Sequence, residues 1–93
     1  MEKTFSVFIG LTQNESGNFE PVNTQLLEKE IDNYFHSFSL SYVEGKYYGI
    51  REKTANLLVR TTENSLTQFA QRIKKQFHQD YIGVIELPNM EFI

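Results

Sequence analysis

The hydrophobic period of this chain changes from two to 3.6 and back, twice over, and this constrains its fold more than any other feature. From Thr4 to Leu11, TFSVFIGL, the residues Phe5, Val7, Ile9 and Leu11 occupy every second position, the spacing of a strand. Phe8 falls on the other side, so both faces of that strand carry apolar surface. Asn14 to Asn23, NESGNFEPVN, reads as a loop by composition. Leu27, Ile31, Tyr34, Phe35 and Phe38 then recur at helical spacing. Asn23 can accept from the free amides of the first turn, and Val22 and Leu27 bracket it as a hydrophobic staple. The spacing predicts a helix ending near His36 or Ser37. Glu28, Glu30 and Asp32 are a charge run expected on its solvated side.

Alternation resumes with Phe38, Leu40 and Tyr42 against Ser39 and Ser41. Gly45 and Gly49 favour a bend or bulge, so the stretch from Phe38 to Ile50 reads either as one long bulged strand or as a short strand followed by an irregular excursion. Arg51 to Thr54 reads as a polar turn, and Ala55, Leu57 and Val59 as the next strand. Ser65 and Gln68 form an S-x-x-Q capping box ahead of a second helix. That helix carries Leu66, Phe69, Ala70, Ile73 and Phe77 on one face. Tyr81 to Leu87 is the last expected strand, with Ile82 and Val84 inward. Pro88-Asn89 breaks it, and Met90 to Ile93 is a short apolar tail.

The resulting order, strand–helix–strand–strand–helix–strand, predicts an α+β, ferredoxin-like βαββαβ sandwich. Its four-stranded antiparallel sheet would carry both helices on one face, with the first and third strands central. The 93 residues suffice for one domain, residues 1–93.

Composition excludes several kinds of chemistry. The chain has no cysteine, which removes disulfides, thiolate metal sites and a cysteine nucleophile. A formal net charge of -3 argues against non-specific binding to phosphate backbones. The chain also lacks the K/R-G-F/Y motif of RNA-recognition domains. A basic zone from Arg51, Lys53, Arg60, Arg72, Lys74 and Lys75 would be needed for nucleic acid, and that reading is disfavoured. No apolar run reaches the roughly 20 residues that span a bilayer. Met1-Glu2-Lys3-Thr4 carries no basic segment followed by an apolar stretch, so no signal peptide is expected. Together with the missing cysteines, this leans towards a cytoplasmic protein without membrane contact.

No phosphate loop, G-x-S-x-G elbow or metal-ligand spacing is present. His36 and His78 each stand near a helix C-terminus, where structural or solvated roles are the ordinary ones. No cofactor is expected. The most distinctive stretch is Gly45 to Glu52, GKYYGIRE. It sets Tyr47 and Tyr48 between glycines beside Arg51 and Glu52, and tyrosine offers area and a hydrogen bond together. On the sheet face away from the helices, alternation places Phe8, Val43, Leu58 and Ile85. The candidate contact residues are therefore Tyr47, Tyr48, Arg51, Glu52, Phe8, Leu58 and Ile85. They suit a non-enzymatic binding or regulatory protein that acts through protein contact, with a second copy as the expected partner. The alternative is a small-molecule-binding protein or enzyme of the dimeric α+β-barrel type, with Tyr47, Tyr48, His36 and Glu52 lining a pocket between the sheet and its partner.

Three stretches carry a family likeness: FSLSYVEGKYYGIREK from Phe38 to Lys53, LLVR from Leu57 to Arg60, and FHQDYIGVI from Phe77 to Ile85. They resemble small uncharacterised ferredoxin-like proteins of bacteria and phages. The resemblance covers about the C-terminal two-thirds of the chain. It implies the fold and no activity.

Overall fold

The two helical segments fold as expected and pack side by side. In the computed structural model, which describes residues 1–88, α1 spans Thr24–Tyr34 and α2 spans Glu63–Gln76. Asn23 caps α1, its side chain accepting from the Leu26 amide. The helix ends at Tyr34, two or three residues earlier than the periodicity suggests, because the chain turns extended at Phe35 to enter the next strand. Helix α2 is capped by Thr62, which accepts from the Ser65 amide, so Ser65 lies inside the first turn rather than at the cap. Lys74 and Lys75 occupy its last turn, where they complement the helix dipole.

The described residues form six strands: β1 (Glu2–Gly10), β2 (Thr12–Glu15), β3 (Asn18–Pro21), β4 (Phe38–Tyr47), β5 (Ile50–Thr62) and β6 (Gly83–Leu87). The chain is thus α+β with a four-stranded antiparallel sheet ordered β4-β5-β1-β6. Its element order is βββαββαβ, not the βαββαβ of the expected ferredoxin-like sandwich. The difference lies in Thr12 to Pro21, which overlaps the expected loop from Asn14 to Asn23. This polar segment pairs back on itself as the separate two-stranded sheet β2–β3, in register Thr12↔Pro21 to Glu15↔Asn18. Its loop-like composition marks the turn at Ser16-Gly17 and hides the short strands on either side. Asn14 Oδ1 accepts from the Gly17 amide and closes that turn. Val22 donates to the Leu11 carbonyl and Leu11 to that of Lys53, tying the hairpin to the end of β1 and β5.

The central hairpin also differs from expectation. Strand β4 runs unbroken through Gly45, and the turn lies at Tyr48-Gly49, not at Arg51 to Thr54. Both turn residues have positive φ, Tyr48 at 50° and Gly49 at 80°. Two consecutive positive φ values match the right-handed twist of the flanking strands in a two-residue hairpin.

One core joins the sheet to both helices. It contains Phe5, Val7 and Ile9 of β1, Ala55, Leu57 and Val59 of β5, Leu27 and Ile31 of α1, and Leu66, Phe69 and Ile73 of α2. Phe69 meets Phe35 edge-on at 4.9 Å between ring centroids and Tyr34 at 5.3 Å. Ile82 packs against the core, whereas Val84, expected inside, is exposed, since β6 is an edge that the helices do not cover. Glu30, expected in solvent with Glu28 and Asp32, is only 8% exposed and accepts from Arg72 of α2. Tyr42 on β4 donates to Glu28 at 2.5 Å. Partial burial, reinforced by this bond and the nearby negative charge, pushes the Tyr42 phenol up to about 12. Among the described residues no helix is long and apolar enough to cross a membrane. The tail Met90 to Ile93 lies outside the described residues.

Candidate functional site

Strand alternation divides the sheet into two faces. Opposite the core face, Thr4, Ser6, Phe8 and Gly10 of β1 line up with Arg60, Leu58, Asn56 and Thr54 of β5. Ser6 donates to Asn56 at 2.7 Å across this face. Ile85 stands beside Ser6 from β6 and Val43 beside Thr54 from β4. Both are exposed, while Leu58 and Phe8 are half-buried.

At the Gly10 end of this face the chain forms a cleft of about 270 Å³. Four pieces of chain meet there. The end of β1 supplies Phe8 and Gly10, the β4–β5 hairpin supplies Tyr48, Ile50 and Glu52, and Phe19 comes from β3. The segment after α2 closes the remaining side with His78, Gln79, Asp80 and Tyr81. The hairpin β2–β3 is held against that segment by several bonds. Asn14 donates its backbone N–H to the His78 carbonyl and its side chain to Asp80 at 3.2 Å. His78 Nε2 lies 3.7 Å from Glu15. Gln79 Nε2 donates to the carbonyls of Thr12 and Phe77.

Four of the seven expected contact residues, Phe8, Tyr48, Arg51 and Glu52, line this cleft. Arg51 borders it, although alternation sends its side chain to the opposite side of the ribbon from Glu52 and Thr54. The Tyr47 side chain lies outside the described residues. Leu58 and Ile85 stand elsewhere on the open face. Leu58 borders a second hollow at the other end of β1, with His36, Phe38 and Arg60. Within one chain, His36 therefore borders a different hollow from the cleft that Tyr48 and Glu52 line.

The sequence reading missed Asn14, Phe19, Gln79 and Asp80. Their only local signal was loop composition, and they reach the cleft through tertiary pairing. Gly10 has a specific part in the geometry. A Cβ there would collide with Glu52 Oε1 and approach Gln79 Oε1 to 3.1 Å, so the missing side chain is what lets both oxygens lie over the strand end.

Two of the six cations that a basic zone would need are engaged by carboxylates. Arg72 is engaged by Glu30 at 3.1 Å and Arg60 by Glu2 at 3.8 Å. Among the described residues no group of three or more His, Asp or Glu side chains is placed to hold a metal ion. Comparison with protein-family models, curated proteins and solved structures returns no match for the chain.

Proposed function

We propose that this chain is a non-enzymatic binding module that works through protein contact, with a second copy of itself as the first partner to test. The observation that carries the reading is Tyr48. It is held at φ 50° and is 95% exposed. A left-handed backbone costs a non-glycine residue about 1–2 kcal/mol, and a tyrosine in solvent gains nothing locally to offset it. Strain of this kind concentrates where a side chain is held out for use. Ile50 and Phe19, each 70% exposed, flank Tyr48 on the rim of the cleft. An apolar, tyrosine-bearing rim around a polar-floored cleft has the composition of a protein contact.

Sedimentation velocity across a concentration series tests the reading. Reversible self-association is expected, and Tyr48→Asn, which suits the turn but removes the ring, should weaken it by roughly tenfold or more. A wild-type monomer at every concentration removes the self-contact. Association unchanged by Tyr48→Asn removes the rim from the contact.

A further inference from the structure

The floor of the cleft presents two hydrogen-bond acceptors to one point. Gln79 uses its Nε2 group on the carbonyls of Thr12 and Phe77, 3.2 Å from each. The amide is thereby fixed, and its Oε1 turns towards Gly10. Glu52 lays a carboxylate oxygen over the same atom. Among the described residues the Glu52 carboxylate has neither an ion-pair nor a hydrogen-bond partner. Two acceptors that converge without a donor between them suit a group that brings donors and positive charge.

We infer that the cleft receives a lysine side chain of a bound protein, its ammonium held by Glu52 Oε1 and Gln79 Oε1 and its stem lying against Phe8 and the Tyr48–Ile50 rim. Three features select this occupant. The acceptors come from two different side chains and meet at a point, which suits the compact three-donor ammonium better than the planar fork of arginine. The volume of about 270 Å³ falls below the roughly 300–1,000 Å³ of pockets that enclose a drug-sized ligand, and a single side chain fills less. Asp80 adds a second carboxylate to the lining, while His78 is turned to Glu15. The inference rests on the proposed protein-contact role in one respect, that the ammonium arrives on a protein.

The test uses the full chain, labelled with ¹⁵N, and Nα-acetyl-lysine methylamide as the probe. Saturable amide shifts are expected at Gly10, Glu52, Thr54 and Gln79, with a dissociation constant on the order of millimolar for so small a fragment. The Nε-acetylated and norleucine counterparts should bind roughly tenfold more weakly, having lost the charge, and the arginine counterpart should also be weaker. Glu52→Gln should produce the same loss with an otherwise unchanged spectrum. Gly10→Ala, which displaces the carboxylate, should do so as well. Equal shifts from the neutral compounds, tighter binding of arginine, indifference to Glu52→Gln, or no saturation would each overturn the inference. Sedimentation of the same samples reads self-association separately, so failure of the dimer and failure of the lysine site are told apart.

Discussion

Glu30 of α1 and Arg72 of α2 are joined at 3.1 Å across the helix pair, with the carboxylate almost wholly withdrawn from water. A buried charge without its partner is costly, whereas losing both charges together costs far less. Arg72→Met should therefore lower stability by about 1–3 kcal/mol. The double variant Glu30→Met/Arg72→Met should recover most of that loss. Urea unfolding of the four proteins in a mutant cycle measures the coupling.

The hairpin turn predicts a gain of stability at the proposed contact. Asparagine adopts the left-handed region more readily than tyrosine, and Asn-Gly favours this kind of turn. Tyr48→Asn should raise the unfolding midpoint, equivalent to about 0.5–1 kcal/mol, with the urea slope unchanged. A stabilised protein with weakened association would separate the cost of the strain from its use.

Tyr42 makes the alkaline limb of stability informative. Its phenol is raised from 10.0 to about 12 in the folded state, by partial burial first and then by the bond to Glu28. The neutral phenol is the form that the fold favours. Its contribution is fully present below pH 10 and fades as pH rises through about 12. Tyr42→Phe should flatten the loss of stability across this window, measured by thermal melts at fixed ionic strength.

Phe69 lies at the centre of the helix–sheet core, fully buried and edge-on to Phe35. Phe69→Ala should cost about 3–5 kcal/mol. Phe69→Leu, which keeps most of the volume, should cost clearly less. Denaturant midpoints of the two variants check the ordering.

Both helices and the central strands were legible in the sequence, because a periodic apolar face is a local property. Phe5, Val7 and Ile9 alternate, and Leu27 and Ile31 recur one turn apart, whatever they pack against. The hairpin β2–β3 was not legible. Its strands are four residues each and polar, and they persist through pairing and the bonds from Asn14 and Gln79 to distant segments. The position of the β4–β5 turn was missed because a tyrosine at positive φ breaks the usual preference for asparagine or glycine there.

By itself, the sequence determined that two helices would bury one face each against alternating strands, without cysteine chemistry. It also marked the Tyr-Tyr hairpin, Phe8 and Glu52 as candidates. Only the tertiary structure decided which candidates share a site. Register places Phe8 and Glu52 on the same face, while Leu58 borders the hollow at the other end of β1 with His36, from the connection between α1 and β4. The folding back of β2–β3 brings Phe19 and the segment from His78 to Tyr81 around Gly10. These pairings join residues more than 60 positions apart, as Asn14 with Asp80 and Thr12 with Gln79. Local periodicity carries no trace of them, since they arise when the packed core fixes where each strand ends.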